Sequence, residues 1–267
     1  MNRQDARNDE LKKVLFGLRH AAVAVSGGVD SLALAATAHV TLGAEAHLYH
    51  ALSPAVPSEG TERTKALAAE HGWDLRIINA GEFDDPRYMA NPSNRCFFCK
   101  SNLYAAIASV TDRTILSGAN IDDLSDYRPG LEAAKNHGVR HPFIEAGLGK
   151  DDIRLLARTL GLGDIAELPS SPCLSSRIET GLAIDPAVLT LVHEAEQHLA
   201  STISARHIRC RVRAAGIVVE LDGESLSRLN DQDRATALGA VTGIFQRGGH
   251  TRPVLLAPYR MGSAFLR

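Results

Sequence analysis

At 267 residues the chain is long enough to bury a sizeable core and to hold one large domain and a smaller one. A 45% hydrophobic and 22% charged composition is ordinary for a globular protein, and a net charge of −2 argues against a global pull toward nucleic acid. No run approaches the ~20 apolar residues of a membrane span, and Met1 to Lys13 is polar with no signal-peptide core. We expect a cytoplasmic protein with no membrane attachment, whose four cysteines serve metal, cluster or nucleophile chemistry rather than disulfides.

Residues 5–18 read as an amphipathic helix through Leu11, Val14, Leu15 and Leu18. Ala21 to Val25 reads as a buried strand that breaks into Ser26-Gly27-Gly28-Val29-Asp30-Ser31, and an apolar helical pattern follows to about Leu42. Ala46 to Leu52 is a second strand. A helix runs from Ser58 to a stop at Gly72, and Asp74 to Asn79 is a third strand. Residues 81–95 lack periodicity and read as a loop; Lys100 to Val110 is helical; Arg113 to Ser117 is a fourth strand. Gly118 to Gly130 reads as an acidic loop, and Lys150 to Leu160 as a helix ended by Gly161. Strands alternating with helices imply a parallel sheet with helices on both faces, and ligands in such sheets bind beyond the C-terminal strand ends. After Pro169 the character changes: a helix over Asp185 to Ala200, strands over His207 to Arg213 and Gly216 to Leu221, a helix over Asp231 to Phe245 and a strand over Pro253 to Ala257. We place the boundary between 1–177 and a small α+β domain, 178–267.

The strand–glycine–helix turn directs unpaired helix N–H groups and the positive dipole end at one point, which suits a phosphate. Gly27 and Gly28 allow close approach, Ser26 and Ser31 add hydroxyls, and Asp30 can hold a Mg²⁺. A plain glycine-rich turn is the alternative. Cys96-Phe97-Phe98-Cys99 can bind a metal or cluster or cycle as a redox pair. His137 and His141 have metal-ligand spacing on an irregular segment. Cys173 lies among hydroxyls near Arg177, which can lower its pKa. Cys210 reads as a packed residue. Arg209, Arg211 and Arg213 fall on one face of a strand, where they form either a phosphate clamp or an exposed face paired with Glu220.

Ser-Gly-Gly-Val-Asp-Ser resembles the pyrophosphate loop of the PP-loop ATP pyrophosphatases, which implies the adenine-nucleotide α-hydrolase-like α/β fold and an ATP site. The resemblance extends through Asn91-Pro-x-x-Arg-Cys-x-x-Cys-Lys100, Gly118-x-Asn120-x-Asp122-Asp123-x-x-Asp126-x-Arg128-Pro129-Gly130, Glu145-Ala-Gly-Leu-x-Lys150, Cys173-Leu-x-Ser-Arg177 and Arg211-Val-Arg213-x-x-Gly216. In this order the motifs resemble the LarE family of ATP-dependent sulfur transferases, which make the nickel-pincer nucleotide cofactor.

That resemblance implies adenylation of a carboxylate of a pyridinium biscarboxylate mononucleotide, followed by sulfur transfer to a thiocarboxylate with release of AMP. It implies ATP held by Ser26, Gly27, Gly28, Asp30, Ser31, Gly118 and Asn120, with Mg²⁺ on Asp30 and Asp122 or Asp123. Arg211 and Arg213 would serve the substrate and Arg177 either the substrate or the AMP phosphate; Cys173, Asp30 and Arg177 would be catalytic, and Lys100 either assists or is an exposed helix lysine. Two sulfur sources occur in the family: a sacrificial cysteine matching Cys173, or a 4Fe–4S cluster on cysteines matching Cys96, Cys99 and Cys173. Because all three are present here, the cluster version is expected, as is a trimeric or hexameric homo-oligomer. Departures fall near the substrate, at Ile165 to Pro169, Thr180-Gly181 and Ser117 to Asn120. Two other chemistries of the superfamily compete. A tRNA-thiolating enzyme should come with a dedicated RNA-binding module, against which the near-neutral charge and absence of zinc-ribbon motifs argue, and for an ammonia-using amide ligase three cysteines would be pointless.

Overall fold

The structure is a computed structural model, and it describes residues 3–125, 128–169 and 171–260. Asp126 of the acidic motif and Ser170 before Cys173 lie outside the described residues. The chain forms two compact units: Met1–Asp85 with Asn94–Ser171, and Pro86–Ser93 with Pro172–Arg267.

In the first unit, helix α1 (Arg3–Leu18) precedes strand β1 (Ala21–Val25) and helix α2 (Val29–Leu42). Then come β2 (Ala46–Ala51), α3 (Ser58–His71) and β3 (Asp74–Ile78). The chain passes through α4 (Pro86–Met89), which belongs to the second unit, and returns in α5 (Arg95–Ala108), β4 (Thr114–Leu116), α6 (Pro129–Asn136), α7 (Pro142–Glu145), α8 (Lys150–Thr159) and α9 (Gly163–Ala166). The strands form an all-parallel sheet ordered β3-β2-β1-β4, with Val23 opposite Leu48 on one side and Leu116 on the other. Every residue of β1 is buried, and its pleat divides the packing. Ala21, Val23 and Val25 join a core with Leu15, Leu32, Leu34 and Leu156, whereas Ala22 and Ala24 pack with Tyr49, Tyr104, Ile107 and Ala134. Helices therefore flank both faces, as the alternation of elements implies. The alanine-rich sequence of α2 lets it lie close on the sheet, while each buried leucine contributes about 1.5–3 kcal/mol.

The second unit holds α10 (Pro186–Thr202), β5 (Ile208–Arg213), β6 (Gly216–Leu221), α11 (Gly223–Arg228), α12 (Asp231–Arg247) and β7 (Val254–Pro258). Its mixed sheet is ordered β5-β6-β7, with β5 and β6 antiparallel and β7 parallel to β6. Asp185 caps α10 through Ala187 N, and Asp222 caps α11 through Ser225 N. Segment 86–93 is tied into this unit. Asn91, fully buried at φ 52°, donates from Nδ2 to Glu179 O and Leu182 O, both at 2.9 Å.

Several elements differ from the sequence reading. α1 begins at Arg3, and α12 continues past Phe245 to Arg247. The supposed loop 81–95 contains a single-turn helix at 82–84 and α4, and α5 starts at Arg95, ahead of Lys100. The supposed loop 118–130 holds the turn Ile121–Ser125 and runs into α6, whose Pro129 sits in the first turn, where its missing N–H costs nothing. Among the described residues no helix is long and apolar enough to cross a membrane.

Candidate active site

The turn leaving β1 is shaped from outside. Gly27 adopts φ +80°, and a Cβ placed on it would lie 2.3 Å from Gly60 O, so this position accepts glycine alone. At Gly28, in extended backbone at the start of α2, only Ser26 Oγ comes within 4 Å of such a Cβ, leaving that side open. Ser31 Oγ donates to Gly28 O at 3.0 Å and accepts from Ser26 N at 3.1 Å, which ties the turn into a ring. The first turn of α2 has no intrahelical acceptors for its N–H groups.

The structure gathers the remaining nucleotide candidates of this unit around the turn. Gly118, leaving β4, touches the start of α2; a Cβ there would meet Asp30 C and Ser31 N at 2.9 Å. Asn120 is buried, accepts from Asp122 N through Oδ1, and donates its own N–H to Asp123 Oδ2. Asp122 Oδ2 in turn accepts from Lys150 N at 2.7 Å, at the start of α8. The Lys150 side chain reaches Asp30, with Nζ 2.7 Å from both carboxylate oxygens. Burial raises the pKa of Asp30, and the bond to Lys150 opposes that rise. An octahedral Mg²⁺ takes one or two carboxylates plus phosphate oxygens, so Asp30, paired here with Lys150, could hold one. Asp122 is engaged at α8.

Cys96 and Cys99 open α5, one turn apart and half-buried, at the helix end that favours thiolates. None of the four cysteines is in a disulfide. Lys100 lies over the Tyr104 ring at 6.0 Å. His141 Nδ1 bonds Ser117 Oγ at 2.8 Å, and His137 stands near the Tyr104 ring. Among the described residues no three His, Cys, Asp or Glu side chains stand together as metal donors.

Cys173, Arg177, Arg211 and Arg213 belong to the second unit. Arg177 is 2% exposed and lies beneath the Cys173 loop. It donates to Pro172 O, Cys173 O and Ser176 Oγ and makes a two-pronged pair with Glu196 at 2.9 Å. Every guanidinium nitrogen is thus engaged in bracing the loop. Glu196 also accepts from Cys210 N. Arg211 and Arg213 share the buried Glu220, at 2.9 and 3.0 Å, and Arg211 also donates to Ser176 O. The pairing with Glu220 weighed against a phosphate clamp is thus present, but on a largely buried rather than an exposed face. Burial, with Arg177 and Arg211 nearby, lowers the pKa of Arg209. Cys210 is fully buried, and burial pushes its thiol pKa up, as befits a packed residue.

Sequence reasoning left Lys150 without a role and missed Glu196, His50 and Arg63. Lys150 stood in a quoted motif, but its partner Asp30 is 120 residues away. Glu196 looks like any acidic residue of a helix.

A four-stranded parallel sheet flanked by helices, with a glycine turn between its first strand and helix, defines an α/β protein of PP-loop-like fold. The chain is 34% identical over 249 residues to the uncharacterized protein slr1717 of Synechocystis sp., covering 92% of this chain and 91% of that protein, and it belongs to the same family. An uncharacterized protein of Methanocaldococcus jannaschii is 25% identical over 79% of this chain and 81% of its own length. Pyridinium-3,5-bisthiocarboxylic acid mononucleotide synthase of Lactiplantibacillus plantarum is 29% identical over 196 residues, 72% of this chain and 71% of that enzyme. No protein-family model matches the chain.

Proposed function

We propose that the protein is an ATP-dependent sulfur transferase that adenylates a carboxylate of a pyridinium biscarboxylate mononucleotide and exchanges AMP for sulfur. The similarity to the Lactiplantibacillus plantarum synthase, whose product carries thiocarboxylic groups, carries this reading. The Ser26–Ser31 turn supports it.

A carboxylate is a poor acyl donor because its leaving group would be an oxide ion. Attack of one carboxylate oxygen on the α-phosphorus of ATP expels pyrophosphate and makes AMP the leaving group. Ser26, Gly28 and Ser31, with the N–H groups opening α2, hold the departing pyrophosphate. Asp30 would hold a Mg²⁺ that neutralises phosphate charge, and Lys150, released from that carboxylate, turns to the phosphates. Arg211 and Arg213, prealigned by Glu220, take the substrate phosphate, and Arg177 keeps the Cys173 loop in shape.

The thiol pair one turn apart on α5 suits a cluster, and Cys173 would supply the third ligand. A 4Fe–4S cluster on Cys96, Cys99 and Cys173 would supply the sulfide to be transferred. Anaerobic reconstitution is expected to give iron–sulfur absorbance that is lost in Cys96→Ala and Cys99→Ala. With ATP and the biscarboxylate mononucleotide, mass spectrometry should show one oxygen replaced by sulfur. No absorbance, together with loss of sulfur from Cys173 on turnover, would replace the cluster by a sacrificial cysteine. No AMP release with this substrate would overturn the proposed activity.

A further inference from the structure

Helix α3 presses against the outside of the phosphate turn. One direct bond, one close approach and a histidine bridge make this contact. Arg63 Nη1 donates to Gly27 O at 2.7 Å. Gly60 occupies the space that a Gly27 Cβ would need, and Thr64 Oγ1 anchors the Gly60 carbonyl at 2.8 Å. His50, 1% exposed, bridges Val25 O and Thr61 Oγ1, both at 2.9 Å.

We propose that Arg63 is a positioning residue for the phosphate turn, holding the Gly27 carbonyl outward so that the Gly28 N–H faces the nucleotide. The proposal rests on the reading of this turn as an ATP-phosphate cradle. Its physical basis is peptide planarity. Gly27 O and Gly28 N–H belong to one trans peptide unit and point in opposite directions. Fixing the oxygen on α3 therefore aims the N–H away from α3. The bond also removes a carbonyl oxygen that would repel phosphate, and it polarises the peptide so that its N–H donates more strongly. Charge acts in the same sense. Asp30 and Lys150 neutralise each other, whereas Arg63 has no carboxylate partner among the described residues. Its Nε and Nη2 make no further hydrogen bond there. A guanidinium with no carboxylate in ion-pair contact therefore stands behind the turn.

Calorimetric titration of the full chain with ATP, inorganic pyrophosphate and AMP tests this. Arg63→Met is expected to weaken ATP and pyrophosphate by about tenfold or more, the scale of one lost charge-assisted hydrogen bond. AMP, lacking the β- and γ-phosphates, should bind as before, and Arg63→Lys should recover most of the ATP affinity. The split between ATP and AMP and the rescue by lysine are what a merely structural residue would not produce. Equal loss of all three ligands, or wild-type ATP affinity in Arg63→Met, overturns the positioning role. Should Arg63→Met fail to fold, Arg63→Gln is read against Arg63→Lys by the same criteria. If the wild-type protein binds neither ATP nor pyrophosphate, the reading of the turn itself falls, and the role of Arg63 with it.

Discussion

Single side chains behind the turn set its dependence on pH. Val25 O can only accept, so His50 carries its proton on Nδ1 and its Nε2 accepts from the Thr61 hydroxyl. Burial holds the pKa of His50 below its ordinary 6.5. The unfolded chain therefore takes up the proton first as pH falls. The stabilisation is complete above the unfolded value and is lost as pH drops from there toward the folded one. Urea midpoints measured from about pH 5 to 8 should fall on the acid side, and His50→Gln should flatten that slope. It will not abolish the slope, because burial also lowers the pKa of His47 and His141. Of this arrangement the sequence showed the glycines and serines of the turn and the need for a tight bend at Gly27. Gly60 and Arg63, 33 and 36 residues on from Gly27, carried no local signal, because what selects them is a tertiary approach.

Elements with strong periodicity were legible. β1, α2 and α8 are where the apolar pattern put them, and Gly72 ends α3 in left-handed backbone with its N–H on Ala68 O. α4 and α6 were not legible. A four-residue helix has no period, and α6 follows an acidic stretch that reads as loop until its first-turn proline is recognised as a start. The Arg211–Glu220 pairing was legible as one of two options, since β5 and β6 are adjacent strands. The brace under the Cys173 loop was not, because Arg177 and Glu196 meet only when α10 packs against the turn at 174–177. Breaking that buried pair leaves an uncompensated carboxylate. Arg177→Ala should therefore cost about 3–5 kcal/mol in urea denaturation.

At the scale of the molecule, composition and the change of character after Pro169 announced a second, smaller α+β region. They did not reveal that eight residues from the middle of the first half belong to it. Those residues are tied to it by Asn91, by the Tyr88–Ser175 hydroxyl contact at 2.6 Å and by Ile184 N on Met89 O at 2.9 Å. Asn91→Ala removes a buried donor from two carbonyls and puts a Cβ-bearing residue without the Asn side-chain bonds at φ 52°. Trypsin should then cut at Arg87 several times faster than in the wild type, as read by the masses of the fragments, while cleavage in α3 and α8 stays slow.

The same tie imposes an order on synthesis. The backbone acceptors of Asn91 lie 87 to 91 residues further along the chain. At ribosomal rates that separation lasts roughly 5–20 s. Through that interval α2, β2 and β3 are already available to pair around the glycine turn, but segment 86–93 has nothing to bind. The small unit closes only once Ile184 has emerged. The nascent protein thus has a chance to build its phosphate turn before the Cys173 loop exists.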